Sequence, residues 1–468
     1  MASSYNILFR LERDEVMRYT RDFSTARMWP LMMKMALPSI VAQVVNMLYC
    51  LVDRVYIGHI HAIGTDALAG IGISSTIVIL VSAFSAFAGN GGAPLAAIAL
   101  GQQDDQAARR ILGNSMFLMI AMTCLLLVPC YLFMEPILRA TGASDATLPH
   151  AVEYLSVYLL GTFFVMVTMG LNPFINAQGR PGIAMSTVII GAVLNIILDP
   201  IFIFVFHLNV IGAALASVLS QAVGAVWVLH FLTSKKAELP LLRSCIRPDG
   251  RVIKRIMALG VSPFVMGSTE SLIGFVLNRG LAVYGDIQVS AMAIMQGCMQ
   301  LVSAPGTGFT SGIAPVLSYN YGHGDKKRVK EGFRICFLVM TISNFVLILC
   351  MILWPRLFGS LFTSDKALLD VVARYMPLFL LGMTIFGMQR ACQSTFIALN
   401  QPRVSLFIAL LRKVFLLVPL ALVLPHFWGL KGIYAAEAIA DGVAATCCIT
   451  IFCHLFPKIL SGSVHSRY

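Results

Sequence analysis

The sequence predicts an all-α polytopic membrane protein with twelve transmembrane helices in two halves of six. Three observations predict it: an apolar composition, a series of long apolar stretches and an internal repeat. Of the 468 residues, 58% are hydrophobic and only 12% are charged, and the mean hydropathy is +0.82. Soluble domains are usually about 25% charged, so most of this chain is expected to lie in lipid.

Each predicted span is an apolar stretch of the length that a membrane requires. A helix that crosses a bilayer needs roughly 20 apolar residues. Several of the stretches contain a proline, which suits a membrane helix that bends or opens around a cavity. The spans are predicted at residues 35–57, 68–94, 111–133, 153–174, 183–205, 211–232, 256–284, 289–315, 332–354, 372–398, 404–424 and 429–456.

The basic residues are distributed unequally between alternate loops. The chain has 34 Lys and Arg residues and a net charge of +12. With the N-terminus inside, the outer loops hold only Arg139, Arg356, Lys366, Arg374 and Lys431. This asymmetry follows the positive-inside rule and predicts that both termini are cytoplasmic. The net positive charge of the chain therefore does not indicate a nucleic-acid partner.

The two halves are parallel repeats. Pro38 in the first span corresponds to Pro263 in the seventh, and Val210-Ile211-Gly212-Ala213 corresponds to Leu430-Lys431-Gly432-Ile433. Each half has an even number of spans, so the halves are expected to be related by an axis along the membrane normal, with the transport pathway between them.

The repeat predicts the domain organisation. The chain divides into a cytoplasmic N-terminal tail with an interfacial helix (1–34), an N-lobe (35–234), a cytoplasmic linker (235–255), a C-lobe (256–456) and a cytoplasmic C-terminal tail (457–468).

The N-terminal half places two acids within predicted spans. A charged side chain at the centre of a bilayer costs roughly 2.5–3.5 kcal/mol on insertion scales, so Asp53 and Asp199 each need a partner, a proton or a function. Asn195 and Asp199 are one turn apart and share a helix face, and Ser217 offers a further oxygen. These groups predict a site for H⁺ or Na⁺. The alternative is structural: Asp53 pairs with Arg54, and Asp199 caps a loop.

The C-terminal half has three acids within its spans, and two interpretations of them remain open. Glu437 and Asp441 lie one turn apart in the last span, and Glu270 lies in the seventh. They can form an ion site, or they can form internal ion pairs with basic residues in the tenth and eleventh spans, namely Arg390, Arg412 and Lys413. In the aligned repeat Asn278 replaces Asp53, so the titratable pair belongs to the N-terminal half only.

Several segments resemble the multidrug and toxin extrusion (MATE) family. Pro38 followed by Leu51-Val52-Asp53-Arg54-Val55-Tyr56-Ile57-Gly58 resembles the first-span signature of that family. Asp66-Ala67-Leu68-Ala69-Gly70 also follows its pattern. The segment from Leu194 to Phe204 is similar to the fifth span of the DinF-like and MepA-like bacterial branches. The resemblance extends over residues 28–456.

The resemblance implies a V-shaped pair of lobes that exports cationic or amphipathic compounds in exchange for H⁺ or Na⁺. It assigns the N-lobe cation site to Asp53, Asn195, Asp199, Ser217 and Tyr154. A possible polar or ion site in the C-lobe comprises Glu270, Asn278, Arg412, Glu437 and Asp441, although Glu270 is one residue closer to Pro263 than in the Na⁺-coupled branch.

The resemblance also leads us to expect a particular location, oligomeric state and set of partners. We expect a monomer in the bacterial inner membrane, with small-molecule drugs and lipids as partners, no cofactor, and no metal beyond Na⁺. The alternative function is a flippase for lipid-linked saccharides or peptidoglycan precursors, because the basic residues within the spans could bind a pyrophosphate. An enzyme is disfavoured, since the sequence has no HExxH motif or nucleotide-binding loop.

Overall fold

The computed structural model describes residues 18–58, 60 and 64–462, and these residues form a bundle of long α-helices. A short helix, α1 (Arg18–Thr25), precedes the bundle. The first half then contains α2 (Met28–Gly58), α3 (Gly64–Gly101), α4 (Asp105–Leu132), α5 (Met134–Ala140), α6 (Leu148–Leu160), α7 (Thr162–Ala177), α8 (Pro181–Pro200) and α9 (Asn209–Thr233).

The second half repeats this order after a linker. It contains α10 (Gly250–Ala282), α11 (Asp286–His323), α12 (Lys326–Leu353), α13 (Pro355–Gly359), α14 (Lys366–Leu380), α15 (Phe386–Ala398), α16 (Pro402–Leu410), α17 (Val418–Trp428) and α18 (Leu430–Ser461). The all-α, two-lobed prediction is confirmed. Of the predicted interfacial helix near the N-terminus, residues 1–17 lie outside the described part.

The number of spans agrees closely with the sequence. Within the described residues, nine helices are long and apolar enough to cross a membrane, and two bent pairs bring the number to eleven. Helix α10 has 33 residues and the position in the second half that α2 has in the first. The fold is therefore a bundle of about twelve spans.

Two predicted spans are broken rather than continuous. Helices α6 and α7 meet at an angle of 58°, and α14 and α15 are bent by 45°. A glycine lies at each break: Gly161 separates α6 from α7, and Gly382 begins a short 3-10 segment before α15. An apolar stretch is compatible with a straight helix and with a bent one. The sequence therefore could not predict these breaks.

Two further segments depart from regular α-helix. Residues Ile201–Val205 continue α8 as a π-helical turn, and Leu411–Leu417 form a π-helical segment between α16 and α17. Pro200 has no N–H to donate to the preceding turn, which accounts for the irregularity at the end of α8. Such π-turns are rare and are often found at functional sites.

The two halves meet along a seam of closely packed helices. Helix α10 packs along α3, and α11 packs along α2 and α3. A Cβ atom at Gly260 would overlap the Phe87 carbonyl oxygen, and one at Gly91 would overlap the Ile256 carbonyl oxygen. Glycine is therefore what lets these two backbones touch. The seam lies toward the ends of the helices that are predicted to face the cytoplasm.

Aromatic side chains extend the seam toward the middle of the bundle. The ring of Phe264 on α10 contacts both Phe84 and Phe87 on α3, with ring centroids 4.8 and 5.3 Å apart in T-shaped arrangements. The largest buried apolar cluster combines residues of the first half with Ile256, Phe309 and other residues of α10 and α11. The ends of the two halves that are predicted to face the cytoplasm thus share one hydrophobic core.

Candidate cation-coupling site

Five side chains of the first half are brought together from four helices. Asp53 comes from α2, Tyr154 from α6, Asn195 and Asp199 from α8, and Ser217 from α9. Helix α8 packs against both α2 and α9, and α9 packs against α6. The N-lobe residues predicted from sequence are therefore neighbours in the fold.

The hydrogen bonds of Asn195 connect α8 to α9. Its Nδ2 donates to Asp199 Oδ1 at 3.3 Å and approaches Ser217 Oγ at 3.5 Å. Asn195 is 2% exposed and Asp199 is fully buried. The predicted sharing of one helix face by Asn195 and Asp199 is therefore observed, and Asp199 does not cap a loop at the surface.

The two carboxyl groups approach each other. The Asp199 carboxyl lies within hydrogen-bonding reach of the half-buried Asp53 carboxyl. An ionised carboxylate has only acceptor atoms. Such a contact is therefore favourable only when a proton or another cation lies between the two groups.

Acceptor oxygens predominate around this contact. Asn195 Oδ1, Asp199 Oδ2 and Gln221 Oε1 are buried, and none has a hydrogen-bond partner among the residues that the structure describes. Gln221 lies one turn beyond Ser217 on α9. Buried polar atoms are nearly always hydrogen-bonded, so these oxygens are available to a cation or to a hydrogen-bond donor.

Tyrosines enclose one side of the carboxyl pair. The Tyr154 hydroxyl bonds with Ser217 and lies near both Asp53 and Asp199. Its ring stacks on that of Tyr158, with centroids 5.8 Å apart, and Tyr49 of α2 lies near both rings. Tyr49 and Tyr158 were not predicted from sequence. The one-turn spacing from Tyr154 to Tyr158 is the signal that could have indicated the latter.

The acids of the second half form an ion-pair cluster. Arg412 Nε donates to Asp441 Oδ1 at 2.6 Å, and Arg412 Nη2 lies 3.5 Å from Glu437 Oε1. The Arg412 side chain is 11% exposed and that of Asp441 is fully buried. The guanidinium carbon also lies 4.2 Å from the centre of the Phe386 ring. The geometry thus provides an internal counter-charge for Glu437 and Asp441.

The other residues of the predicted C-lobe site are not drawn into this cluster. Asn278 is exposed, and its side chain makes no hydrogen bond within the described part of the chain. The side chain of Glu270 lies outside the described residues. Lys413 Nζ donates to the Met266 carbonyl at 2.7 Å, and Arg390 Nη1 donates to the Ser303 carbonyl at 2.8 Å.

The fold and the carboxyl pair within the membrane spans define a class: multi-pass membrane proteins built from two repeated helical lobes, as in many secondary transporters. The family model described as MatE matches the chain twice, over residues 38–201 and 264–423. The chain therefore belongs to the MatE family. The double match agrees with the internal repeat.

Curated relatives of similar length include staphylococcal exporters. The multidrug export protein MepA of Staphylococcus haemolyticus (strain JCSC1435) is 24% identical over 433 residues, which cover 92% of this chain and 94% of that protein. MepA of Staphylococcus aureus (strain MRSA252) is 24% identical over 439 residues, covering 94% and 96%.

Solved structures with this fold include other transporters. One is described as the outward-facing conformation of a multidrug resistance MATE family transporter; it has a TM-score of 0.88 and 20% identity and covers 94% of this chain and 98% of that one. A transporter from Pyrococcus furiosus, whose binding pocket is described as having reverse polarity, has a TM-score of 0.87 and 19% identity, with 94% and 98% coverage.

Proposed function

We propose that this protein is a secondary active exporter that expels cationic or amphipathic small molecules in exchange for H⁺ or Na⁺. The observation that carries the proposal is the approach of the Asp53 and Asp199 carboxyls on two helices of the same lobe. The names of the staphylococcal relatives, which are described as multidrug export proteins, support drugs as the substrates.

Cation binding at this pair provides the coupling. When both carboxyls are ionised and no cation is bound, their repulsion favours separation of α2 from α8. A proton or Na⁺ between them favours close approach, with Asn195, Ser217 and Tyr154 completing the polar shell. The occupied and empty sites thus stabilise different arrangements of the lobe, which is the requirement for coupling.

The seam between the halves supplies the second element of an alternating-access cycle. Close packing of α3 on α10 closes the predicted cytoplasmic side, so we assign the described conformation as outward-facing. Export then requires this seam to open and a cytoplasmic substrate to enter between the lobes. Loading of the outer cation and release of the substrate return the protein to the inward-facing state.

The remaining features of the proposal concern location and composition. We place the protein in the bacterial inner membrane as a monomer with both termini in the cytoplasm, since the loop charges favour this orientation. The domain boundaries are residues 1–34, 35–234, 235–255, 256–456 and 457–468. H⁺ and Na⁺ are cargo that drives transport, and no further cofactor is needed.

The Arg412–Glu437–Asp441 cluster is proposed as a structural ion network rather than a second coupling site. The guanidinium of Arg412 occupies the position that a mobile cation would otherwise take. Flippase activity is less well supported, because Arg412, Lys413 and Arg390 are bound by protein oxygens rather than presented together to a pyrophosphate.

A resistance and efflux assay tests the proposal. Expression in an exporter-deficient bacterium should reduce susceptibility to ethidium or norfloxacin, and dye efflux should stop when both the pH and Na⁺ gradients are dissipated. Efflux that persists without either gradient, or movement of a fluorescent lipid-linked saccharide in place of dye, would exclude the exporter.

Replacing Asn195 by Ala should change the cation dependence of efflux without abolishing transport. The change removes the amide that bonds with Asp199 and approaches Ser217. A hydrogen bond to a charged group contributes roughly 1.5–3 kcal/mol. Loss of the amide donor favours the protonated Asp199 carboxyl, so with H⁺ as the driving cation we expect the H⁺ concentration for half-maximal efflux to fall about tenfold. With Na⁺ as the driving cation, loss of the buried amide oxygen as a ligand should raise the corresponding Na⁺ concentration about tenfold. Asn344→Ala is the control, since Asn344 is a buried amide in the other half that donates to the Met383 carbonyl. Equal shifts in both variants would remove Asn195 from the site.

Replacing Gly260 by Ala should shift the protein toward the inward-facing state. The new Cβ would overlap a backbone carbonyl in the seam, and overpacking of this kind costs about 1–3 kcal/mol. Ile40 of α2 lies against Gly308 of α11, where the two halves also meet. A cysteine at Ile40 in a cysteine-free background should then react faster with an impermeant maleimide from the cytoplasmic side. Gly274→Ala is the matched control, because a Cβ at Gly274 on the same helix meets nothing within 4 Å. Unchanged labelling in Gly260→Ala would contradict the assignment of the seam.

A further inference from the structure

A basic pocket lies beside the linker, at the opposite end of the bundle from the carboxyl pair. Its volume is about 800 Å³, within the range of small-molecule sites. Three guanidinium groups line it: Arg109 and Arg110 at the start of α4, and Arg247 at the end of the linker. The proposed orientation places this pocket at the cytoplasmic membrane surface.

The arginines of this pocket have unused binding capacity. Arg109 Nε is buried without a hydrogen-bond partner, and within residues 18–58, 60 and 64–462 no carboxylate forms an ion pair with Arg109, Arg110 or Arg247. Two acids also line the pocket. Asp249 is engaged as the N-cap of α10, where Oδ1 accepts from the Arg251 amide at 2.9 Å, and Asp105 lies in the first turn of α4. The guanidinium groups therefore exceed the carboxylates in number.

The wall of the pocket is held in place by the backbone of the linker. Asn114, which is 1% exposed, accepts from the Asp249 amide at 2.8 Å through Oδ1 and donates to the Arg110 carbonyl at 2.8 Å through Nδ2. The linker also touches α4 at Gly113, where a Cβ would overlap the Cys245 carbonyl oxygen. The backbone that frames the pocket is therefore a built feature that α4 and the linker form together; of its arginines, Arg109 is partly buried, and Arg110 and Arg247 are exposed.

We propose that this pocket binds a phosphate-ester anion. Guanidinium groups form charge-assisted, bidentate hydrogen bonds with phosphate oxygens, and the pocket is larger than inorganic phosphate alone requires. Its position at the membrane surface, with Leu242 among the lining residues, suits the headgroup of an anionic phospholipid; basic pockets between helices on the cytoplasmic side commonly bind such headgroups.

Binding here would connect the first half to the helix that forms the seam. The ligand would contact α4 and the linker as far as Asp249, the N-cap of α10, while α10 packs along α3 farther into the bundle. An anion held between these elements would fix the linker to the first half. It would thereby stabilise the conformation in which the cytoplasmic seam is closed.

Thermal unfolding of the full chain in nanodiscs tests the proposal. Discs of neutral phospholipid are compared with discs that contain phosphatidylglycerol or cardiolipin, and pyrophosphate is titrated into the neutral discs as a soluble probe. We expect the apparent Tm to rise with anionic lipid, with pyrophosphate, or with both. The first result identifies a lipid headgroup as the source of the phosphate, and the second identifies a soluble compound.

Charge-matched variants decide whether the pocket is responsible. Arg109→Gln, Arg110→Gln and Arg247→Gln each remove one guanidinium group. Each variant should bind the phosphate-ester anion about tenfold more weakly, because charge-assisted hydrogen bonds to phosphate are strong. Arg247 is exposed, so Arg247→Gln is expected to fold normally. The three pocket changes are also combined in one variant, and its charge-matched control combines Lys326→Gln, Lys327→Gln and Lys330→Gln, which remove three exposed cations at the start of α12. A Tm shift that is absent in the parent, or that the control loses as fully as the pocket variants, would overturn the proposal.

Discussion

Replacing Asp53 by Asn should abolish efflux driven by an ion gradient while leaving substrate binding intact. The Asn side chain has nearly the same shape as that of Asp, but it does not bind a proton. The change also removes one of the two negative charges that would bind a cation. We expect the initial rate of gradient-driven efflux to fall at least about tenfold, toward the rate without a gradient, because a site with no differential affinity cannot shift a conformational equilibrium. Asp199→Asn should have the same effect.

The matched control for this prediction is Asp145→Asn. Asp145 belongs to the same half, and its exposed carboxylate pairs with Arg139 at 2.9 Å. It should transport at the rate of the parent protein. Substrate affinity measured without a gradient shows whether each variant is folded. Normal gradient-driven efflux by a folded Asp53→Asn variant would remove the carboxyl pair from the mechanism.

Replacing Arg412 by Ala should cause the largest loss of stability among the charged residues discussed. The change leaves Glu437 and Asp441 without the guanidinium that bonds with both. Removing one member of a buried ion pair commonly costs 3–5 kcal/mol, so we expect a loss of about that size in the free energy of unfolding. Chemical unfolding in mixed micelles can measure it.

Two comparisons distinguish this effect from a general loss of charge. Arg356→Ala breaks an exposed pair of similar length, with Arg356 Nη2 2.7 Å from Asp370 Oδ1, and should cost at most about 1 kcal/mol. Adding Glu437→Gln and Asp441→Asn to Arg412→Ala should restore much of the stability, because no uncompensated carboxylate remains. If the triple variant were as unstable as the single one, the ion pairs would not account for the cluster.

Much of the N-lobe site could be predicted from sequence because the helical period links residue spacing to direction. Asn195 and Asp199 had to share a face once the fifth span was identified. The cost of charge in lipid then selected Asp53 as the second acid. These are local arguments, and they remain valid whatever the packing of the lobes.

Other features depend on tertiary packing and could not be predicted in this way. The sequence offered Arg390, Arg412 and Lys413 as equal partners for the C-lobe acids, whereas the structure brings Arg412 to Asp441 and Glu437. The π-helical segment that carries Arg412 changes the direction of its side chain relative to a regular helix. Spacing rules for an α-helix do not apply within it.

The seam and the linker pocket likewise could not be predicted from the spacing of residues in the sequence. Nothing in the sequence distinguishes Gly260 and Gly113 from other glycines. Only the structure shows that each one allows another segment of backbone to pack against it. The linker was predicted as a cytoplasmic connection between the lobes. In the structure it is fixed to the first half, where the Leu239 amide donates to Gln178 Oε1 at 2.9 Å and Asn114 binds the Asp249 amide.

The most direct test of cation coupling is transport by the purified protein in proteoliposomes with a pH gradient or a Na⁺ gradient imposed alone. We predict that at least one of these gradients drives uphill movement of ethidium in the opposite direction, and that each transport cycle moves the driving cation in measurable amounts. Uphill movement of substrate with neither cation flowing, or downhill movement that ignores both gradients, would contradict the account.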